Sequence, residues 1–282
     1  MTANNLLLVI YFISLSGLII FGSHRYLLIY FYKKYKKATP ETKPLTDPYP
    51  IVTVQLPIFN EMNVVARLIE NIVKLDYPKD KLEIQVLDDS TDETQKIAKE
   101  SVDKFKKDGF NIFYIHRNNR TGFKAGALQN GMAKATGEFI AIFDADFVPR
   151  PDFLKNLMPY FNEEAIGMVQ ARWGHTNRKY SLLTKIQAII LDGHFLIEHT
   201  ARNRSGRFFN FNGTAGIWRK KTIAASGGWQ GDTLTEDMDL SYRAQINGWK
   251  FVFVPDVVIP AELPIDVNAF KTQQGRWAKG TI

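Results

Sequence analysis

The sequence predicts an α/β fold, an open and mostly parallel sheet of Rossmann-like design, with an apolar helix ahead of it. Three observations carry this. Short apolar or β-branched runs alternate four times with segments of helical spacing between Ile51 and Phe143, and crossovers of that length belong to parallel strand pairing. Charged residues collect directly after those runs, at the carboxyl ends where open α/β sheets hold their ligands. A nearly unbroken apolar run, Leu6–Gly22, precedes everything else. With 282 residues, 45% hydrophobic and 23% charged, the chain can bury a large core and lacks the composition of a disordered one.

The N-terminal run comes first. Leu6–Gly22 with a few flanking residues reaches the roughly 20 needed to cross a bilayer, and only Ser14, Ser16 and Gly17 interrupt it. A second patch, Tyr26–Tyr32, has the tyrosines favoured at a membrane interface. Lys33, Lys34, Lys36 and Lys37 follow, which places this side in the cytoplasm and the N-terminus on the opposite side. A cleaved signal would carry its positive charge before the apolar run, where Met1–Asn5 has none. Residues 1–37 therefore read as a retained anchor with a basic juxtamembrane segment resting on anionic membrane lipids. Residues 38–50 hold four prolines and read as a linker. The formal charge is +7. Its positions point to lipid and to a phosphorylated small molecule, with no nucleic acid as partner. No cysteine is present, so disulfides and thiolate metal sites are excluded.

Residues 51–282 read as the globular domain. Ile51–Leu56 is a strand, followed by Pro57, Asn60 and Glu61; Asn60 suits a helix cap and Glu61 the first turn. Val64–Leu75 is helical. Leu82–Leu87 is a second strand ending in Asp88 and Asp89, with Ser90 or Thr91 as cap for a helix to Lys107. Phe110–Ile115 is a third strand, followed by Arg117, and Gly122–Ala135 a helix with Lys124 in its first turn. A lysine there opposes the helix dipole but suits a phosphate held by the same N-terminus. Phe139–Phe143 is a fourth strand, ending in Asp144 and Asp146. Two acids on alternate residues face one side if strand geometry continues. They fit a divalent cation bridging to phosphate, or simply a polar turn. No Gly-x-Gly-x-x-Gly follows the first strand and no P-loop motif occurs, which argues against a dinucleotide and against a P-loop nucleotide site.

Further on, Asp152–Phe161 reads as a helix, Ile166–Trp173 as a strand and Arg178–Arg202 as one long helix. His194 and His199 lie five apart in it, a spacing that keeps them off one helical face and against a metal role. Phe208–Ala215 offers three aromatics beside a Gly-Thr turn, which fit either a sugar path or ordinary core. Thr235 suits the cap of a helix to Asn247, with Glu236 and Asp237 in its first turn. Those acids either satisfy the dipole or supply a general base for a sugar hydroxyl. Phe251–Val254 reads as a last strand. Gln273, Arg276 and Trp277 lie near the C-terminus.

Asp89, the pair Asp144/Asp146, Thr235–Asp237 and Gln273/Arg276/Trp277 stand in the order and with similar separations to the motifs of the processive family 2 glycosyltransferases of the cellulose synthase superfamily, which the chain resembles from Ile51 onward. The wording around them is most similar to cellulose-synthase-like A and C groups, the glucomannan and xyloglucan backbone synthases, and their bacterial relatives. The resemblance implies a GT-A fold and an inverting transfer of a hexose from a nucleotide sugar, UDP-glucose or GDP-mannose, to a growing β-linked polysaccharide. It implies that Pro57, Asn60, Glu61, Asp89, Lys124 and Asp144 hold the nucleotide sugar, and that Asp146 binds Mg2+ or Mn2+. Asp237 would be the base, and Thr235, Glu236, Gln273, Arg276 and Trp277 would bind acceptor and gate the site. A lipid acceptor fits the same residues. A non-catalytic nucleotide-binding subunit is opposed by the presence of Asp146, Asp237 and Arg276. The family continues past the last motif into several membrane helices, so this chain is expected to be a fragment lacking that C-terminal region.

Overall fold

The computed structural model describes residues 3–280. The four expected parallel strands are β1 (Val52–Ile58), β2 (Leu82–Asp88), β3 (Ile112–His116) and β4 (Phe139–Ile142). β1 pairs in parallel with β2 and β4, and β2 with β3. Helices α2 (Val65–Ile72), α3 (Thr94–Lys107) and α4 (Phe123–Lys134) return the chain between them. Every residue of β2 is buried, as expected of a strand covered on both faces. Alternation divides β1: Val52, Val54 and Leu56 meet Leu68, Ile69 and Ile72 of α2 in one half of the core. Thr53 and Gln55 face the other way. They are paired across the sheet, Thr53 Oγ1 donating to Glu83 Oε1 at 3.1 Å and Gln55 Nε2 to Gln85 Oε1 at 3.0 Å, so burial leaves these donors satisfied.

After α5 (Phe153–Leu157), three more strands complete the sheet: β5 (Ile166–His175), β6 (Gly216–Arg219) and β7 (Lys250–Ala261). The order is β3-β2-β1-β4-β6-β5-β7. β6 is antiparallel to both its neighbours. It was not expected from the sequence, because four residues beginning with glycine show no readable alternation; the helix after it, α8 (Lys220–Ala225), also went unread. β7 was expected to stop at Val254. It runs on through Pro255 and Pro260, which is tolerated because it is an edge strand whose outer N–H groups need no partner.

The long helix expected over Arg178–Arg202 is three pieces. They are α6 (Leu182–Asp192), a π-helical segment Gly193–His199, and α7 (Thr200–Arg204). Ser181 caps α6, its Oγ accepting from the Thr184 N–H at 3.2 Å. The last two helices are α9 (Glu236–Ile246) and α10 (Val267–Gly280). Three expected caps are corrected. Asn60 adopts a left-handed φ of 55° and caps nothing. At α3 it is Asp92, and not Ser90 or Thr91, that accepts from the Thr94 N–H, at 3.0 Å. Thr235 makes no side-chain cap on α9.

The N-terminal apolar run and the tyrosine-rich patch form one helix, α1 (Ala3–Tyr35), uninterrupted at His24 and Arg25. At 1.5 Å per residue it is about 50 Å long, and it is long and apolar enough to cross a membrane. Its second half rests on the π segment and the turn after α7. Leu28 is buried, Arg25 Nη1 lies 3.3 Å from Glu198 Oε2, and the Arg207 guanidinium stacks 3.7 Å from the Phe31 ring. Residues 38–50 form no helix or strand, but Leu45 and Tyr49 pack on the core.

Candidate active site

The carboxyl ends of β1, β2 and β4 open into a cavity of about 750 Å3. Each wall is set by local structure. On the β2 side, buried Asp88 is committed to the fold: it accepts from the Ser90 N–H at 2.8 Å and from the Tyr114 hydroxyl at 2.6 Å. Its neighbour Asp89 faces the cavity and is gripped at both oxygens by Arg117, Nε to Oδ1 at 2.7 Å and Nη2 to Oδ2. Such a two-point grip fixes a carboxylate in the plane of the guanidinium. Arg117, which followed β3 as a candidate polar residue, thus acts through Asp89. Asn60 is the one expected site residue that does not line the cavity. Its Oδ1 accepts from the Thr91 N–H at 2.9 Å and ties the loop after β1 to the loop after β2. Arg120, which no sequence motif marks, lines the cavity with its guanidinium 3.3 Å from the Phe59 ring.

The floor is electrostatic. Lys124 Nζ pairs with Asp144 and donates to the Gly213 carbonyl at 2.9 Å. Burial pulls its pKa down, but Asp144 and then Glu236 outweigh that and hold it above its ordinary value, so it is charged. The Asp144 backbone N–H in turn donates to Thr214 Oγ1 at 2.9 Å. Asp146 has no such cation. Burial first, then Asp144, pushes its carboxyl up to about 7. Glu61 is also raised, by burial and then by Asp144 and Asp92. β4 ends at Ile142, so a turn and not a continued strand brings Asp144 and Asp146 to the same cavity.

The opposite wall is α9. Asp237 is pushed up to about 7, by burial and then Glu236, with Lys124 opposing. Its Oδ1 accepts from the Met238 N–H at 2.8 Å. The turn at Gly213 has φ 80°, and a Cβ there would sit 3.1 Å from Asp237 Oδ2 and 3.4 Å from Lys124 Nζ, so glycine lets the backbone close between base and cation. Glu236, Gln273, Arg276 and Trp277 complete the lining. Thr235 Oγ1 donates to the Gly280 carbonyl at 2.6 Å, and a Cβ at Gly280 would lie 2.3 Å from Thr235 Cγ2. The end of α10 is thereby seated on the start of α9.

A second, mainly apolar cavity of about 600 Å3 adjoins the first, between α1 and the π segment. Leu28, Ile29, Ile190 and Phe195 line it, and Trp173, Asn212, Thr235, Asp237 and Trp277 face both cavities. The aromatic run resolves here: Phe209 and Phe211 are core, while Phe208 is exposed. Asn212, directly after Phe211, is a site residue that its sequence context did not single out. The histidines are corrected too. In an α-helix, residues five apart diverge, but a π-helix repeats at i to i+5. The His194 and His199 rings are 4.3 Å apart, and both bond to Asn212. Only the irregular turn brings them together.

The cavity's acids fit a divalent cation. Asp144 and Asp146 supply hard oxygen donors, and the burial of Asp146 is only partly offset by Lys124. Among the described residues no group of three or more His, Asp or Glu is arranged to hold a metal. The protein would therefore give part of the coordination and a phosphate the rest, as Mg2+ sites commonly do.

The family described as glycosyltransferase-like family 2 matches residues 48–280. The chain is 46% identical over 237 residues to a probable glucomannan 4-beta-mannosyltransferase 7 of Oryza sativa subsp. japonica, covering 82% of this chain and 40% of that protein. It is 44% identical over 240 residues to glucomannan 4-beta-mannosyltransferase 1 of the same organism, covering 83% and 46%. It thus spans less than half the length of these relatives. Among solved structures, the mannosyltransferase PcManGT of Pyrobaculum calidifontis, in complex with GDP-Man and Mn2+, superposes with a TM-score of 0.73 at 23% identity over 93% of this chain and 72% of that one. TarS of S. aureus, residues 1-349 in complex with UDP, gives 0.56 at 17% over 76% and 60%. These likenesses establish the fold, the GT-A type of mostly parallel sheet. The family match takes in every strand of that sheet and every acid of the cavity, and the chain belongs to glycosyltransferase family 2.

Proposed function

We propose that this chain transfers mannose from GDP-mannose to the end of a growing β-linked glycan, with inversion at the sugar carbon, from a position in the membrane. The observation that carries this is the placement of Asp237. It faces the donor cavity beside Lys124 and also opens onto the second cavity, so a carboxylate stands where a donor and an acceptor would meet. With its pKa near 7, Asp237 is suited to accept a proton from an acceptor hydroxyl. That hydroxyl then displaces the nucleotide from the opposite face of the sugar, turning an α-donor into a β-link. Asp89, fixed by Arg117, and Pro57 stand at the nucleoside end, and Lys124 with Asp144 at the diphosphate. Asp146 and Asp144 would hold a divalent cation, Mn2+ or Mg2+, which would supply positive charge against the leaving diphosphate. Gln273, Arg276 and Trp277 close over donor and acceptor.

The choice of mannose over glucose rests on the names of the plant relatives and of the archaeal structure; UDP-glucose is the other donor in scope. The apolar α1, with Lys33, Lys34, Lys36 and Lys37 beyond its hydrophobic part, supports a membrane span with the catalytic domain in the cytoplasm and anionic lipid against the lysines. The apolar lining of the second cavity, shared with α1, favours a lipid acceptor as second reading. Donor screening of the membrane-embedded chain with GDP-mannose and UDP-glucose, with Mg2+ and with Mn2+, tests the proposal. Transfer of radiolabelled mannose into a water-soluble β-linked product is expected, and a product that extracts wholly into organic solvent would support the lipid reading instead. Turnover of neither donor would overturn both.

A further inference from the structure

Asn212, like Asp237, lines both cavities where they join, and its side-chain amide is held from both sides. Oδ1 lies 2.7 Å from His199 Nε2, and Nδ2 lies 3.3 Å from His194 Nε2. An amide oxygen only accepts and an amide nitrogen only donates. His199 must therefore carry its proton on Nε2, which also points at the Asn210 carbonyl 3.2 Å away. His194 must leave Nε2 bare and carry its proton on Nδ1, where Glu198 Oε2 waits at 3.4 Å. Glu198 is itself anchored by Arg202 Nε at 3.0 Å and by Arg25 of α1 at 3.3 Å. His199 is fully buried and neutral, its pKa pushed down to about 3, first of all by burial. A flipped Asn212 would set its NH2 against the His199 N–H and its oxygen against the bare His194 nitrogen. The histidine pair thus allows one orientation.

That orientation leaves one N–H and one oxygen lone pair of Asn212 unused. A hydroxyl, which donates and accepts, matches both. We propose that Asn212 reads a hydroxyl of the acceptor's terminal sugar, and that His199 and His194 are positioning residues that lock its amide for that task. The inference rests on the reading of Asp237 as the base: the sugar whose hydroxyl Asp237 deprotonates is the one within reach of its neighbour in both cavities.

The test uses the membrane-embedded chain with GDP-mannose and β-1,4-mannotetraose as acceptor. Asn212→Ala is expected to raise KM for mannotetraose about tenfold, the order of one lost hydrogen bond in a site built to make it, and to leave KM for GDP-mannose unchanged. His199→Leu is expected to reproduce the rise. His199→Gln is expected to restore wild-type values, because its amide can again donate to Asn212. Asn212→Asp, the same shape without a donor for His194, is expected to behave as Asn212→Ala, and it decides the matter should His199→Leu fail to fold. An unchanged acceptor KM in Asn212→Ala, a shift confined to GDP-mannose, or a His199→Gln as impaired as His199→Leu would each overturn the inference while leaving Asp237 as the base. A wild-type chain that turns over GDP-mannose but never elongates mannotetraose would overturn the glycan reading beneath it.

Discussion

Replacing Asp237 by Asn should destroy activity and at the same time stabilise the fold. The carboxyl is buried beside Glu236, and its ionisation moves from an ordinary 3.8 to about 7. At 1.36 kcal/mol per pH unit that displacement costs the folded protein about 4 kcal/mol once the pH exceeds 7. The sign follows from proton counts. Between about pH 4 and 7 the folded protein keeps a proton that the unfolded chain has released, so stability contributed by the neutral acid is lost as pH rises through that window and is fully lost above it. Asparagine is neutral throughout and can still accept from the Met238 N–H. It does remove one anion from beside Lys124, which keeps Asp144, so the net gain should be about 2–4 kcal/mol at pH 8.5. For a chain of this size that is on the order of 5–10 °C in melting temperature. Thermal unfolding in detergent, followed by tryptophan fluorescence at pH 4 and pH 8.5, measures it. Transfer should fall by about 100- to 10,000-fold, the range for loss of a general base. A variant that is no more stable at pH 8.5, or that gains as much at pH 4, would show that Asp237 is not a carboxyl held near pH 7, and the reasoning from burial to base would fail.

The same ionisation makes wild-type kcat/KM rise with pH through about 7 and flatten above it, since the base must be deprotonated to act; a flat profile from pH 5.5 to 8 would contradict that role. Chelation by EDTA should abolish turnover and Mn2+ should restore it. Mn2+ with GDP at a hundred times its Kd should add about 2.7 kcal/mol of stability to the wild type, and little to Asp146→Asn, as read from melting temperature. Gly280→Ala should drive a methyl into Thr235, whose Cγ2 would be 2.3 Å away, and unseat α10 with Arg276 and Trp277. The expected reading is a transfer rate at least tenfold lower at an almost unchanged melting temperature, the same for Thr235→Val, and near-normal rates for Thr235→Ser, which keeps the hydroxyl that bonds Gly280.

Much of the frame was legible because its cause is local. A period of two in Ile51–Leu56 and Leu82–Leu87, broken by helical spacing, specifies parallel strands from the chain alone, and the acids at their ends fall on one edge by topology. β6 was not legible, since Gly216–Arg219 is a strand only because β4 and β5 bond it on both sides. Nor was the extension of β7 through two prolines, which depends on its lying at the sheet's edge.

The candidate site divides in the same way. That Asp89, Asp144, Asp146 and Asp237 would share a cavity followed from motif order and sheet direction. What each does there was decided by neighbours distant in the chain. Asp144 is neutralised by Lys124 and Asp89 by Arg117, while Asp146 and Asp237 are left buried without full compensation and so ionise near 7. Asn60, at the carboxyl end of β1, holds two loops together and stays out of the cavity. The amino-acid order determined which groups reach the sheet's carboxyl edge, because strand direction is a property of the backbone. The folded packing alone decided which of them keep a partner, because charge and burial depend on side chains far apart in the chain, as Lys124 acts on Asp144 20 residues away and on Asp237 113 residues away.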